Sequence, residues 1–395
     1  MTKNIDINSI ARPNVVKLMP YRNTREDYPG ELFLDANESS FGPANLVSNS
    51  NPPIPASQEL DPLQTNRYPD PYCIKVKERF IAKHDCGLSI DNIFIGSGSD
   101  EAIDNLTRVF CKPGVDKCLI CPPTFEMYEM ACEINDIEVL KIDLKTSNRP
   151  FQLQIDKVIQ TLENDPLIKI VWLIAPGNPT GVALNQKDLL AILESSYKGI
   201  VAIDEAYIDF VGDGYQSMAK YVSKYNNLVL IQTMSKSFGL AGARVGFAIS
   251  SPEVIKLMNS VKTPFNISVL AQNAAFEALS PESIKSMRRI VSEINHTRDE
   301  ILVPALEKMP NVKAVLGSGA TNFILVQFCS SDGTVSNDFT KKLYEILATE
   351  FNVLLRNRAH LPGCYGSLRI SIGTRDEMYR ILEALEKAFE KLNKE

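Results

Sequence analysis

Short apolar runs that alternate with helix-like segments restrict most strongly what this chain can fold into. From residue 72 onward these runs read "NIFI", "KCLICPP", "EVLKIDL", "KIVWLIAP", "GIVAIDEA", "LVLIQTM" and "VGFAIS", and several are separated by stretches with helical spacing. Runs this short and apolar are typical of strands covered on both faces, and alternation with helices favours parallel connections. The pattern predicts an α/β domain with a mainly parallel sheet covered by helices.

A different pattern begins near residue 280. Ile284, Met287, Val291 and Ile294 recur at three- and four-residue steps, which is the spacing of one buried helix face. Two further strand-like runs, "TNFILVQF" and "LRISIG", then alternate with helices up to the C-terminus. These features predict a second, smaller α+β domain.

The length of 395 residues agrees with two domains, since a domain typically takes roughly 100–200 residues. Residues 44–66 are rich in Pro, Asn and Ser and lack apolar periodicity, so they are predicted to form an irregular surface loop. The expected division is an N-terminal arm in the small domain (1–43), an irregular loop leading to a dimer contact (44–71), the large domain (72–280) and the small C-terminal domain (281–395).

Composition excludes several function classes. The formal net charge is -6 and the pI about 5.4, so nothing indicates a basic surface for nucleic acid or anionic lipid. A local basic pocket for small anions is invisible in such a total. No apolar run approaches the roughly 18 residues that span a bilayer, and the N-terminus does not resemble a signal peptide. We therefore expect a cytoplasmic protein without membrane partners.

Cysteine and histidine usage argues against a metal centre. The eight cysteines are scattered, as is usual for reduced thiols. The one close pair, Cys118 and Cys121, is interpreted as two buried strand residues, because a zinc site needs further ligands and the only histidines are His84, His296 and His360. No metal is expected.

Polar residues follow several of the predicted strands at the point where each strand ends. In an open parallel sheet, ligands bind beyond the carboxyl ends of the strands. A glycine-rich turn, "GSGSDE", follows "NIFI" and opens a helix, which suits a phosphate. The side chains that follow the later runs are Asn178, Asp204, Tyr207, Ser235, Lys236 and Arg244.

Each of these features has an ordinary structural explanation when it is taken alone. The glycine turn can be only a tight turn, Asp204 a helix cap and Arg244 a surface cation. Lys236 can pack its stem on the core while its amine reaches water. Alternatively, desolvation and a nearby cation depress the pKa of its amine, so that the neutral form can attack a carbonyl.

The convergence of these groups favours the second explanation. Pyridoxal phosphate needs a lysine for its aldehyde, a buried carboxylate for its ring nitrogen, donors for its phenolic oxygen and a cradle of donors for its phosphate. The strand ends supply every one of these groups. The sequence thus predicts a pyridoxal phosphate site.

The motifs "NPTG", "DEAY", "SKSFGLAGARVG" and "LRISIGT" resemble the fold-type I, aspartate-aminotransferase-like enzymes, which use pyridoxal phosphate. More narrowly, "LDANES", "RYPDP", "GSGSDE", "CPPTFEMY" and "LRNR" are similar to the histidinol-phosphate aminotransferase family. The resemblance extends from about residue 18 to the C-terminus. It implies a large domain with a mainly parallel sheet, a smaller α+β domain and transaminase chemistry.

The resemblance also implies roles for individual residues. Lys236 matches the lysine that holds the cofactor and moves the proton, Asp204 the carboxylate at the pyridine nitrogen, and Asn178 and Tyr207 the donors to the phenolic oxygen. The catalytic set is Lys236, Asp204 and Tyr207. The remaining cofactor contacts are a stacking ring and groups at the phosphate: Phe125, Ser99, Asp100, Ser235 and Arg244.

Other implied residues concern the partner subunit and the substrate. Tyr68 resembles a tyrosine that reaches the cofactor phosphate of the other subunit, which implies a homodimer. Arg369 matches the arginine that binds the substrate's carboxylate. The rest of the substrate pocket is expected at Arg356, with Arg358 as a competitor, and at two residues of the N-terminal arm, Tyr21 and Asn37.

The implied reaction is transamination between L-histidinol phosphate and 2-oxoglutarate, giving imidazole acetol phosphate and L-glutamate, in histidine biosynthesis. Three alternatives remain open at this point. They are an aminotransferase for aromatic or other amino acids, a decarboxylase of a phosphorylated amino acid on the same fold, and a catalytically silent binding protein.

Overall fold

The structure is a computed structural model of the chain. It describes residues 2–20, 22, 36, 38–40, 42–50, 52, 54–55, 57–84, 86–147, 151–212, 214–317 and 319–393.

The larger of two sheets contains the apolar runs that the sequence singles out. Its strands are β1 (Ile93–Ser97), β2 (Lys117–Ile120), β3 (Glu138–Lys141), β4 (Ile168–Ile174), β5 (Ile200–Asp204), β6 (Leu228–Thr233) and β7 (Val245–Ile249). They lie in the order β1-β7-β6-β5-β4-β2-β3. Only β7 runs antiparallel to its neighbours β1 and β6, while the pairs from β6 to β3 are parallel. The predicted mainly parallel sheet is confirmed.

Helices follow the strands and cover both faces of the sheet. The α-helices within the described residues are α1 (Ile7–Ile10), α2 (Pro13–Val16), α3 (Ile74–His84), α4 (Gly98–Phe110), α5 (Met127–Ile134), α6 (Ile155–Asn164), α7 (Gln186–Glu194), α8 (Pro252–Val261), α9 (Val269–Ala278), α10 (Pro281–His296), α11 (Val303–Leu306), α12 (Asn337–Glu350) and α13 (Arg375–Leu392).

Strand β5 shows how the sheet is buried. Val201 and Ile203 belong to the apolar cluster on one face, whereas Ile200 and Ala202 belong to the cluster on the other face. All four side chains are fully buried. Because successive strand residues point to opposite faces, a strand covered on both sides must be apolar throughout, as this run is. Asp204 ends the strand as its one charged residue.

The smaller sheet is antiparallel. Its strands are β8 (Val312–Leu316), β9 (Phe323–Phe328), β10 (Arg356–Asn357) and β11 (Ser367–Ser371), in the order β10-β11-β9-β8. Strands β9 and β11 correspond to the two predicted runs, and β8 and β10 are additional. Helices α12 and α13 bury their apolar faces against this sheet in one cluster that includes Leu343 and Leu385.

Helix α10 connects the two sheets. Ser280 caps its first turn by accepting from the N–H of Ser283, and Pro281 occupies the first position, where a missing N–H costs nothing. The predicted face is confirmed, since Met287 and Val291 are buried in one cluster with Tyr207, which follows β5 of the large sheet, and with Phe323 of β9. A π-helical stretch, Thr297–Leu302, then leads into α11.

The first part of the N-terminal arm, with helices α1 and α2, packs against helices that cover the large sheet. Ile7, Ala11 and Val15 share an apolar cluster with helices α4 and α8. This packing differs from the expected assignment of residues 1–43 to the small domain, because apolar residues of α1 and α2 find their partners on α8. The other domain limits stay predictions.

The predicted irregular segment contains turns and bends, and the described positions between 44 and 66 include no helix or strand. Among the residues that the structure describes, no helix has the length and apolar character needed to cross a membrane.

The contact between α3 and β7 provides a stability test. Phe80 stacks on Phe247 with ring centroids 3.8 Å apart, and both side chains are buried. We expect Phe80→Ala to lower the free energy of unfolding by about 3–5 kcal/mol, because it leaves a cavity between helix and sheet. Urea unfolding followed by fluorescence measures the change. Tyr379→Ala, at a ring that is 57% exposed, is the control and should change stability by at most about 0.5 kcal/mol; equal losses would contradict the assignment of Phe80 to the core.

Candidate active site

The carboxyl ends of the parallel strands open into a cleft of about 590 Å³. Strand β7 contributes from its beginning, because it runs in the opposite direction and so brings Arg244 to the same edge. The cleft unites most of the predicted site residues, which are Ser99, Asp100, Phe125, Asn178, Asp204, Tyr207, Ser235, Lys236, Arg244, Arg356 and Arg369.

The glycine-rich turn that was predicted to hold a phosphate lies where β1 passes into α4. Gly98 has φ +75°, and a Cβ at this position would collide with the guanidinium of Arg244. The N–H of Gly98 donates to the carbonyl of Arg244 at 2.9 Å, and Arg244 Nη2 donates to Asp100 Oδ2 at 3.1 Å. Arg244 itself lies in the left-handed region with φ +54°, a strained conformation that the close contact with this turn maintains.

Asp204 is the buried carboxylate of the cleft. Its side chain accepts hydrogen bonds from Tyr128 Oη at 2.8 Å and from the N–H of Ala206 at 2.9 Å. Burial raises the pKa of Asp204 to about 6, while these two hydrogen bonds act in the opposite direction. The charge of Lys236 also lowers the pKa of Asp204, but among the described residues no cation forms an ion pair with this carboxylate.

Lys236 faces the same space. Its side chain opens onto the cleft, and its Nζ lies 5.6 Å from the ring centroid of Tyr207. Partial desolvation by the walls of the cleft, followed by the positive charge of Arg369, lowers the pKa of the lysine. This direction agrees with the second explanation given for Lys236, in which desolvation and a nearby cation favour the neutral amine.

Contacts on both sides of Lys236 fix the turn that carries it. Thr233 Oγ1 accepts from the N–H of Ser235 at 3.1 Å. On the other side, Ser237 Oγ donates to Asp209 Oδ2 at 2.6 Å, and Asp209 also pairs with Lys83 at 2.9 Å. Asp209 follows β5 in a short 3₁₀ helix, Ile208–Phe210, and the sequence gives no signal for this role.

The smaller sheet contributes Arg369 from β11. Its Nη1 donates to Asn178 Oδ1 at 2.6 Å, and its guanidinium lies 5.0 Å from the ring centroid of Phe323. The buried Nε has no hydrogen-bond partner. A partly buried guanidinium with an unused donor is a ready site for an anion.

A cluster of charges lies at the rim of the cleft beside Arg369, and we call it the Glu126 cluster. The Glu126 carboxylate forms an ion pair with Arg358 and lies 3.8 Å from Arg356 and 3.9 Å from His360. Arg358 also lines the cleft, so it and Arg356 both face the space where Arg356 was expected. A role for Glu126 was not predicted from the sequence, although this residue lies within the quoted motif "CPPTFEMY".

Tyr128 was also missed, and it comes from the same motif. It stands three residues after Phe125, in the first turn of α5, and the two rings meet edge to face at 5.7 Å. Tyr128 is fully buried and stacks on Trp172 at 5.1 Å, which aims its hydroxyl at Asp204. Its place in the quoted motif, three positions after the predicted stacking ring of Phe125, is the signal that could have identified it.

Of the three remaining predicted residues, only Tyr68 is described. Tyr68 does not line the cleft; its ring stacks on Phe265 with centroids 4.6 Å apart and is 52% exposed. Tyr21 and Asn37 lie outside the described residues.

The cysteines and possible metal ligands lie elsewhere. Cys118 and Cys121 are buried free thiols in and just after β2. Within the described ranges, no group of three or more His, Cys, Asp and Glu side chains is arranged to hold a metal ion.

Comparisons with known proteins agree with this architecture. The family described as aminotransferase class I and II matches residues 33–385. The histidinol-phosphate aminotransferase of Candida maltosa is 40% identical over 402 residues, covering 98% of this chain and 99% of that protein. The Schizosaccharomyces pombe protein of the same name is 40% identical over 389 residues, with 96% and 97% covered.

A solved structure is similar in fold. The Sinorhizobium meliloti histidinol-phosphate aminotransferase, in complex with pyridoxal-5'-phosphate, superposes with a TM-score of 0.72 at 22% identity and covers 90% of each chain.

Because the pKa of Asp204 is raised in the folded protein, we expect the stability of the cofactor-free protein to depend on pH. The folded pKa is about 6 against an ordinary 3.8, so the folded state loses stability as the pH rises from about 4 to about 6 and bears the full penalty above that. We expect Asp204→Asn to stabilise the cofactor-free protein at pH 7.5 by about 3 kcal/mol and to give no gain near pH 4. Asparagine can still accept from Ala206 and donate to Tyr128 Oη.

Urea unfolding at both pH values measures this effect. Tyr128→Phe is the matched control with the opposite sign, because it removes a donor from the charged carboxylate and should cost about 1–2 kcal/mol at pH 7.5. A destabilising Asp204→Asn, with the same loss at both pH values, would contradict the buried, unpaired carboxylate.

Proposed function

Because the chain belongs to the aminotransferase class I and II family, we propose that it transfers the amino group of L-histidinol phosphate to 2-oxoglutarate. The products are imidazole acetol phosphate and L-glutamate, and the reaction belongs to histidine biosynthesis. The observation that carries the proposal is a single cleft that unites Lys236, the buried Asp204 and the partly unpaired Arg369.

The residues of the cleft fit pyridoxal phosphate as the cofactor. Gly98 leaves room for the guanidinium of Arg244, which can donate to a phosphate together with Ser99 and Ser235 of the same cleft. Asp204 would hold the protonated ring nitrogen, which supplies the positive charge that this carboxylate lacks. When bound, the cofactor supplies an electron-withdrawing ring that stabilises negative charge on the amino-bearing carbon of the substrate.

Asn178 and Tyr207 suit the phenolic oxygen. Arg369 donates to the oxygen of the Asn178 side chain, which leaves the amide nitrogen free to donate. Burial raises the pKa of Tyr207 to about 12, so its hydroxyl stays protonated and is a donor as well. Phe125, on the wall of the cleft, is the ring expected to stack on the cofactor.

Lys236 moves the proton in this proposal. Its lowered pKa makes the neutral amine available as a general base that takes a proton from the amino-bearing carbon, and the resulting ammonium can return the proton. The turn held by Thr233 and Asp209 keeps the amine at the cleft through both transfers.

Arg369 binds the anionic group of the substrate. Histidinol phosphate has a phosphate ester where glutamate has its α-carboxylate, so this position must accept either anion. A planar guanidinium can bind both in a bidentate manner, and the unused Nε of Arg369 supplies the second donor.

We further propose a cytosolic homodimer in which Tyr68 acts on the partner's cofactor. Tyr68 is absent from the lining of its own chain's cleft, and its ring is held by Phe265 with half of its surface exposed. All eight cysteines are free thiols, which suits a reducing compartment. The division into two domains remains part of this proposal.

The proposed reaction can be tested at Lys236 and with the amino donor. The protein loaded with pyridoxal phosphate should change its visible absorbance when histidinol phosphate is added without any 2-oxo acid. Lys236→Ala should lower turnover by roughly a thousandfold or more, because the general base is lost. Lys220→Ala, at a lysine outside the cleft, is the control and should retain turnover. Unchanged turnover in Lys236→Ala would refute the assignment.

The same titration separates the other activities. A response to phenylalanine but not to histidinol phosphate would indicate an aromatic amino-acid aminotransferase. Carbon dioxide released from a phosphorylated amino acid without an acceptor would indicate a decarboxylase. No visible absorbance after supplying the cofactor would indicate a binding protein.

The proposed dimer can be tested with two inactive variants. Tyr68→Ala and Lys236→Ala, each inactive as a homodimer, should regain about a quarter of wild-type activity when co-expressed, because half of the dimers are hybrids with one intact site. Mass measurement by light scattering verifies the dimer. Co-expressing Lys236→Ala with Tyr365→Ala, at an equally exposed tyrosine, gives the reference for unimpaired sites. If Tyr68 acted within its own chain, the hybrids would regain nothing.

A further inference from the structure

The Glu126 cluster has an unbalanced charge. Glu126 is the one carboxylate that faces Arg356 and Arg358 among the cleft residues that the structure describes, and Arg369 lies in the same cleft. The two other carboxylates of the cleft have partners elsewhere: Asp100 pairs with Arg244, and Asp204 accepts from Tyr128. Three guanidinium groups therefore share one anion at this end of the cleft.

The arginines also have unused hydrogen-bonding capacity. The Nε atoms of Arg358 and Arg369 are both buried and lack hydrogen-bond partners. A buried guanidinium donor without an acceptor costs free energy, which an entering anion can recover. The end of the cleft beside Glu126 can therefore bind a further anion.

The members of the cluster differ in freedom to move. The side chain of Arg358 is only 7% exposed, and its charge requires a partner at all times. Glu126 is 45% exposed and directly precedes helix α5, so its side chain can rotate into water. Arg356, at 61% exposed, can follow either partner. The exchangeable member is therefore Glu126.

The two substrates of the proposed reaction differ in charge at this point. Histidinol phosphate carries one anionic group, which Arg369 binds, and its side chain is an imidazole. Glutamate and 2-oxoglutarate carry a second carboxylate in place of that imidazole. One pocket must accept a ring that donates an N–H and also a full negative charge.

We propose that Glu126 is an exchangeable counter-anion that lets one pocket accept both side chains. With the imidazole substrate, Glu126 stays on Arg356 and Arg358 and accepts a hydrogen bond from the ring. With a dicarboxylate, Glu126 turns out to solvent and the distal carboxylate takes its place on the arginines. The number of ion pairs is the same in both states, so the exchange costs little. This inference rests on the proposed function for its choice of substrates.

The test replaces the charge of Glu126 and keeps its shape. In Glu126→Gln, a distal carboxylate no longer competes with an internal anion, so KM for glutamate and 2-oxoglutarate should fall by about threefold to tenfold. KM for histidinol phosphate should stay the same or rise, because the ring loses a charged acceptor. Glu293→Gln is the matched control. That carboxylate lies outside the cleft, is 54% exposed and forms an ion pair with Arg375 at a distance of 2.7 Å. It should change neither KM.

A second variant guards against misfolding of the first. Arg356→Gln keeps Glu126 on the buried Arg358 but removes one ligand of the distal carboxylate. It should raise KM for the two dicarboxylates more strongly than KM for histidinol phosphate, because only the dicarboxylates place a carboxylate on Arg356. Equal changes for all substrates in both variants would mean that the Glu126 cluster only holds β10 near α5, and would overturn the inference.

Binding of simple anions separates this inference from the proposed reaction. Calorimetry with glutarate, a five-carbon dicarboxylate, should show about threefold to tenfold tighter binding to Glu126→Gln than to the wild type, and butyrate should bind both equally. If histidinol phosphate is turned over but the glutarate preference does not change, the inference fails and the function stands. If the glutarate preference changes but histidinol phosphate is not a substrate, the function fails and the counter-anion role of Glu126 stands.

Discussion

A carboxylate buried at the end of a central strand is the constraint on which the rest of the site depends. Asp204 ends β5, between β4 and β6, and the register pairs it with Ile174 and Ile231. Burying a charge there is unfavourable, and the two hydrogen bonds it accepts offset only part of the cost. The position becomes favourable once a cation binds above it. The buried carboxylate thus makes the cofactor-free protein less stable, and it fixes a negative charge at the base of the cleft.

Apolar packing and polar contacts play different parts in joining the two sheets. Behind the cleft, Tyr207, Met287 and Phe323 share one apolar cluster, which ligand binding does not need to disturb. In front, the connections are the Arg369–Asn178 hydrogen bond and the ion pair between Arg358 and Glu126. An anion competes directly with these polar contacts for the same guanidinium donors. The apolar cluster therefore gives the two sheets a permanent contact. The polar contacts at the cleft can be exchanged for contacts with a bound anion.

The sequence predicts the central strands and their ends because both rest on local patterns. Runs such as that of β5 are apolar throughout, so their burial and the residues that follow them can be read directly. Long-range geometry cannot be read in this way. The reversed direction of β7 depends on pairing with β1 and β6, and it decides where Arg244 lies. Likewise, the role of Glu126 arises from its pairing with Arg358, a residue more than two hundred positions later in the chain.

Local charge explains how an acidic protein can favour anionic ligands. The chain as a whole has a formal net charge of -6. Among the described residues, five cationic side chains and three carboxylates line the cleft, an excess of two positive charges with the lysine counted as protonated. A concave site of low dielectric focuses this field, so the cleft attracts anions while the outer surface repels them. Selectivity within the cleft must then come from hydrogen-bond geometry and from competition with internal carboxylates, because positive charge alone does not distinguish a phosphate from a carboxylate.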